Sequence, residues 1–274
     1  MIKVNDQIVE INHYPDGTPR INIDMNPIPS DRTHIIVWNY EGDEEIFYLM
    51  LIKKHLENFD LKATFFLILK YIPNARMDRV KSKNEVFTLK YFCEFINSLN
   101  FDGVYVLDAH SDVSLALLNR CVNGNPKRYI NKAINGCYDK DKLVLYFPDA
   151  GSMKRYSGMF PEIRYCYGEK NRDWKTGMIQ GLEIRTNGLD LEGKDVLMID
   201  DIISFGGSLY YSALELKKRG VEKIYAYASH TENSVLNKEK GTLIKLLEDG
   251  TVERLFTTDS LFTGEHEKIT VMEE

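Results

Sequence analysis

Short apolar runs of strand length alternate with helix-period patterns along most of this chain, and that alternation narrows its fold more than any other feature. The runs are Ile35 to Trp38, Ala63 to Leu69, Val104 to Leu107, Leu143 to Phe147, Val196 to Ile199 and Ile224 to Ala228. Between them Glu44 to Asn58 has helical periodicity, and Val86, Leu89, Phe92, Ile96 and Leu99 recur at spacings of three and four, one face of a helix. Strand, helix, strand in that order predicts βαβ units and a mainly parallel sheet flanked by helices. Ligands of such sheets sit beyond the carboxyl ends of the strands, so chemically active residues are expected just after each run.

A chain of 274 residues suffices for one large domain or two of ordinary size. A hydrophobic content of 43% and a charged content of 28% are those of a globular protein. The longest wholly apolar stretches, such as Phe65-Phe66-Leu67-Ile68-Leu69, are too short to span a bilayer, and the first residues do not read as a secretory leader. The expectation is a cytoplasmic protein with no membrane partner. Its net charge of -6 argues against nonspecific nucleic-acid binding, which calls for a basic face. Cys93, Cys121, Cys137 and Cys166 show neither CxxC pairing nor metal-ligand spacing, and read as free thiols.

The segments after the runs carry the expected chemistry. Tyr71 to Arg79 places Arg76 and Arg79 on a Pro-containing loop. Asp108-Ala109-His110 follows the third run, and Pro148-Asp149-Ala150-Gly151-Ser152, with Lys154 and Arg155, follows the fourth. Gly168 to Asp173 reads as a polar loop bearing Lys170 and Arg172, and Ser229-His230-Thr231-Glu232-Asn233 as a loop after the last run. Each has a bland alternative: surface ion pairs for the arginines, a satisfied core histidine for His110, a turn former for Asp149. Their convergence on strand ends favours a binding site.

The most specific stretch is Asp200-Asp201-Ile202-Ile203-Ser204-Phe205-Gly206-Gly207-Ser208, between the run ending at Ile199 and a helical pattern from Tyr210 to Arg219. Carboxylates at a strand end accept hydrogen bonds from ribose hydroxyls. Glycines at the start of a helix let backbone amides approach an anion. A sugar phosphate satisfies both, although a strand end followed by a capped turn accounts for the same letters.

Taken in order, these segments resemble the ribose-phosphate pyrophosphokinases, which make phosphoribosyl pyrophosphate from ATP and ribose 5-phosphate. Tyr14-Pro15-Asp16-Gly17-Thr18 is similar to the family's Phe-Ser-Asp-Gly-Glu, which contacts adenine from a neighbouring subunit. Pro73-Asn74-Ala75-Arg76-Met77-Asp78-Arg79 resembles its ATP-contacting Pro-Tyr-Ala-Arg-Gln-Asp-Arg. Asp108-Ala109-His110 is similar to Asp-Leu-His, and Pro148-Asp149-Ala150-Gly151 matches Pro-Asp-Ala-Gly; their histidine and aspartate imply a magnesium (Mg2+) site at His110 and Asp149. Glu169-Lys170-Asn171-Arg172 is similar to the mobile catalytic loop, implying catalytic roles for Lys170 and Arg172.

The resemblance implies two similar phosphoribosyltransferase-like domains, residues 1–138 on the ATP side and 139–274 on the acceptor side. It implies ATP contacts at Tyr14, Asp16, Thr18, Arg76, Met77, Asp78, Arg79 and His110. Acceptor contacts fall at Asp200, Asp201, Ser204, Phe205, Gly206, Gly207 and Ser208. A shared adenine site implies a homodimer or higher homo-oligomer.

Met77 stands in place of the family's glutamine and Thr18 in place of its glutamate, and in the acceptor loop Ser204-Phe205 stands where Asp-Thr is usual. Phe205 removes a hydroxyl donor from a site for a near-dianionic terminal phosphate and adds an apolar ring. Either the ring packs away and ribose 5-phosphate still binds, or the acceptor carries its phosphate in a less charged linkage. The second reading favours ADP-ribose, whose activated product nicotinamide could attack to give NAD. A nucleobase phosphoribosyltransferase and a noncatalytic regulator are the rival classes. The N-terminal half argues against the first, and the retained Lys170, Arg172, His110 and Asp149 against the second.

Overall fold

In the computed structural model the apolar runs pair as strands within two units, Met1–Asn125 and Pro126–Glu274. The residues described are 1–25, 29, 31–137, 142–172 and 179–273; the side chains of 170–172 and 179–181 lie outside that description. The first unit contains β1 (Ile2–Val4), β2 (Gln7–Ile8), β3 (Glu10–His13), β4 (Pro19–Asn22), β5 (Thr33–Trp38), α1 (Glu44–Phe59), β6 (Thr64–Leu69), α2 (Thr88–Ser98), β7 (Gly103–Leu107), α3 (Asp112–Leu117) and β8 (Cys121–Gly124). Its main sheet has the order β2-β1-β5-β6-β7-β8. β5 to β8 run parallel, and β1 joins β5 antiparallel. β3 and β4 form a separate hairpin.

The periodicities locate the buried faces. Leu49, Ile52 and Leu56 of α1 are buried at the expected spacing, as are Leu89, Phe92 and Ile96 of α2. Val86, placed on that face by spacing, lies ahead of α2 and is exposed. Lys53 is buried in the same layer. Its Nζ meets Glu57 Oε1 at 2.6 Å and lies 4.0 Å from the Phe65 ring centroid, so the charge is paired and the stem packs as hydrocarbon.

The second unit contains α4 (Lys127–Gly136), β9 (Leu143–Phe147), α5 (Ala150–Tyr156), β10 (Tyr165–Arg172), β11 (Ile179–Arg185), β12 (Asp195–Ile203), α6 (Gly207–Lys218), β13 (Lys223–Thr231), α7 (Leu243–Glu248), β14 (Arg254–Thr258) and β15 (Ile269–Met272). Its sheet has the order β11-β10-β9-β12-β13-β14-β15, parallel except for β11. Buried Tyr146, Val196, Met198, Leu209, Ala213, Leu216 and Ala226 join the sheet to α6. Sequence put the boundary at 138. The units instead divide at 125/126, because α4 packs on β13 and β14, where the Phe256 ring fills the space beside Gly136.

Both central strands outrun their apolar cores. β12 stays paired with β13 through Ile203↔Thr231, so Asp200 and Asp201 lie within a strand, not in the turn after it. Aspartate is poorly suited to strands on its own, but the ladder with β13 overrides that preference. His230 is likewise buried within β13, where Nδ1 meets Ser260 Oγ at 2.8 Å. It serves the core and is not a loop residue.

Candidate functional site

The parallel ladders bring the carboxyl ends of β9 and β12 together, and with them three carboxylates. Asp149 follows β9 as the N-cap of α5, its Oδ1 accepting from the amides of Gly151 (3.0 Å) and Ser152 (3.1 Å). Asp200 Oδ1 accepts from Ser152 Oγ at 3.0 Å and from the Asp201 amide at 3.0 Å. The same Ser152 hydroxyl lies 3.3 Å from Asp149 Oδ1, and its single proton can serve only one of the two acids. Asp201 Oδ2 takes the Arg155 guanidinium at 2.8 Å. Loss of hydration, then the charges of Asp201 and Asp149, hold the Asp200 carboxyl well above the usual carboxylate range.

The glycine-rich segment behind them is pinned from one side. Phe205 O accepts from Thr242 N (2.8 Å), Thr242 Oγ1 (2.9 Å) and Leu243 N (3.2 Å), and Ile203 O accepts from Glu232 N (2.8 Å). In a trans peptide the N–H points opposite the carbonyl, so the amides of Ser204 and Gly206 face away from these partners. Gly206 has φ 86°, and a Cβ there would lie 2.3 Å from Leu243 Cβ, so only glycine fits. α6 starts at Gly207 with no side-chain cap, its first-turn amides being suited to an anion. Phe205 is 37% exposed instead of packed into the core. In the following helix Tyr210 and Tyr211 stack edge-on at 5.4 Å, with Tyr211 exposed.

The segment read as a catalytic loop is part of a hairpin. Gly168 to Arg172 pair antiparallel with β11, Lys170 opposite Leu182 and Arg172 opposite Ile179. At its base Glu169 Oε2 takes Arg185 Nη2 at 2.7 Å. The side chains of Lys170 and Arg172 lie outside the described residues, as does Asp173. Gly168 lets the arm cross the core, since a Cβ there would fall 2.4 Å from the Tyr146 hydroxyl.

Residues expected at the ATP end all belong to the first unit. Tyr14 to Thr18 form the exposed turn between β3 and β4, where Asp16 Oδ1 accepts from Thr18 Oγ1 (2.6 Å) and Thr18 N (3.0 Å). These hydrogen bonds lower the Asp16 pKa. Asn74, at φ 63°, starts the turn carrying Arg76 and Met77. Exposed Arg79 lies 4.0 Å from Asp78, a surface pairing. His110 is partly buried after β7, beyond Asp108 at φ 43°.

The sequence left Ser152, Glu232 and Ser234 without roles and named Arg155 only as half of a Lys-Arg pair. Ser152 and Arg155 follow Asp149 by three and six residues, roughly one face of α5, and that spacing was a usable signal. Among the described residues no group of three or more His, Cys, Asp or Glu is placed to hold a metal ion, and no helix is long and apolar enough to cross a membrane. The cysteines are free, three of them buried.

No family model matches the chain. A ribose-phosphate pyrophosphokinase of Thermococcus kodakarensis is 29% identical over 228 residues, 81% of this chain and 77% of that protein. One from Saccharolobus solfataricus is 26% identical over 274 residues, 99% of this chain and 89% of that one. The crystal structure of phosphoribosylpyrophosphate synthetase from Mycobacterium smegmatis superposes with a TM-score of 0.73 at 16% identity, covering 97% of this chain and 86% of that one. The chain is thus similar over most of its length to ribose-phosphate pyrophosphokinases, and it shares the two-sheet α/β fold of the synthetase structure.

Proposed function

We propose that this protein transfers the β,γ-diphosphate of ATP to the C1 hydroxyl of a ribose 5-phosphate moiety, releasing AMP. The observation that carries the reading is the end of β12 and the start of α6: a carboxylate pair beside an uncapped, glycine-rich helix start. Asp200 and Asp201 accept hydrogen bonds from the ribose hydroxyls, and Ser204, Gly206, Gly207 and Ser208 meet the 5'-phosphate through amides and hydroxyl. The C1 oxygen attacks the β-phosphorus in line, the bond to the α,β-bridging oxygen breaks, and AMP departs. Lys170 and Arg172 stabilise the charge that develops. Tyr14, Asp16, Thr18, Arg76, Met77, Asp78, Arg79 and His110 bind ATP, the hairpin of Tyr14 to Thr18 reaching a neighbouring subunit of a homo-oligomer.

A carboxylate oxygen is the donor type that a hard divalent cation takes, so Asp149 fits Mg2+ and would hold it together with phosphate and water oxygens. When bound, the ion neutralises phosphate charge.

We favour ADP-ribose over ribose 5-phosphate as the acceptor. The exposed Phe205 ring supplies no donor to a terminal dianion but offers a surface to an extended nucleotide. Such a product fits NAD synthesis. The relatives' names favour ribose 5-phosphate, for which the amides and Ser208 remain. The test supplies ATP, Mg2+ and either acceptor, without a nucleobase, and quantifies AMP and the pyrophosphorylated product. Turnover of ribose 5-phosphate alone rejects ADP-ribose, and AMP formation with neither acceptor rejects the reaction. Phe205→Thr should move preference towards ribose 5-phosphate by about threefold to tenfold, one to two hydrogen bonds' worth.

A further inference from the structure

The hydroxyl of Ser204, in the turn between β12 and α6, meets a carboxylate that comes from another segment of the chain. Ser204 Oγ donates to Glu232 Oε2 at 2.7 Å, Ser234 Oγ donates to the same oxygen at 3.0 Å, and the two hydroxyls lie 3.2 Å apart. Glu232 comes from the segment after β13, brought across by the Ile203↔Thr231 register, and its amide already holds Ile203 O. It thus grips the acceptor segment twice, once by backbone and once by side chain.

We propose that Glu232 is a positioning residue for the acceptor, acting through Ser204. Its carboxylate holds the Ser204 hydroxyl and so fixes the orientation of the Ser204–Phe205–Gly206 peptides, whose amides face the anion. Hydroxyl-to-carboxylate bonds are charge-assisted and stronger than neutral ones, which suits a clamp on a glycine-rich turn. Two further constraints follow. Ser204 is committed to Glu232, so it contributes no hydroxyl to the phosphate and leaves that role to Ser208. The clamp also serves the ribose 5-phosphate moiety common to both candidate acceptors, and is indifferent to what lies beyond it.

The proposal rests on the acceptor reading above, and the test separates the two. Binding of ADP-ribose and of ribose 5-phosphate is measured by calorimetry, with steady-state KM for acceptor and for ATP and a thermal midpoint, for the wild type, Glu232→Ala, Glu232→Gln, Ser204→Ala and the double variant Ser204→Ala/Glu232→Ala. Glu232→Ala should weaken both acceptors by about tenfold, the scale of one charge-assisted hydrogen bond, with KM for ATP changed less than about twofold. Glu232→Gln, whose amide oxygen still accepts the serine hydroxyl, should recover most of that loss. Adding Ser204→Ala to Glu232→Ala should cost nothing more, because the two act as one unit.

Additive losses, an unchanged acceptor affinity in Glu232→Ala, or a fall in thermal midpoint with acceptor and ATP KM moving together would overturn the role of Glu232 while leaving the acceptor site standing. A wild type that binds neither acceptor would overturn both.

Discussion

Asp200 and Asp201 are neighbours in sequence and opposites in environment. Asp201 is paired with Arg155, whereas Asp200 rests on a hydroxyl and an amide within the field of two other acids. The folded protein therefore holds the Asp200 proton more tightly than the unfolded chain does. That contribution to stability is fully present below the unfolded value of 3.8 and is lost as pH rises through the raised folded value. Asp200→Asn should consequently stabilise the ligand-free protein at pH 7 by about 1 kcal/mol, with the gain shrinking as pH falls towards the unfolded value, while weakening acceptor binding. Urea unfolding of both proteins across that range measures it, and a destabilised variant at pH 7 would contradict the argument. Sequence singled out this acid pair and read it as a contact for ribose hydroxyls. It could not show which acid is neutralised, because Arg155 lies 46 residues from Asp201 and reaches it only once β9 lies beside β12.

At the scale of elements, a strand end and a helix start are shared by structure and chemistry. Asp149 caps α5, so its replacement mixes two effects that a second substitution separates. Asp149→Ala should lower stability by about 1 kcal/mol, the loss of a cap, and also raise the Mg2+ concentration needed for half-maximal activity. Asp149→Ser retains a capping oxygen but no charge, so it should keep nearly all the stability and show the same Mg2+ defect. Thermal melts and Mg2+ titrations of AMP release distinguish them; equal Mg2+ dependence in wild type and both variants would remove Asp149 from the metal site. The elements themselves were legible: Leu143–Phe147 coincides with the apolar run, and the helix at Glu44 runs one residue past its reading. The readings failed where polar letters end an apolar run. Asp200-Asp201, Ser229-His230 and Glu169-Lys170 all look like loop, yet each lies in a strand because a neighbouring strand supplies backbone partners.

For the whole molecule, the proposed sharing of the Tyr14–Thr18 hairpin between subunits makes a prediction that no single variant can test. Tyr14→Ala and Lys170→Ala should each lower activity, and co-expressed mixed oligomers should recover part of it, since some assemblies pair an intact hairpin with an intact arm. Recovery no greater than the average of the two variants would refute sharing, as would a fully active monomer by sedimentation. The sequence by itself determined the α/β class and the mainly parallel character of its sheets, because periodicity and residue chemistry are local properties that survive without coordinates. Only the tertiary structure decided that Ser204 answers to Glu232, that Arg155 answers to Asp201, that α4 belongs with the second sheet and that the Lys170 segment is an arm. Each of those depends on which strand lies beside which and in what register, and register is set by the packing of whole sheets, not by the residues that it brings together.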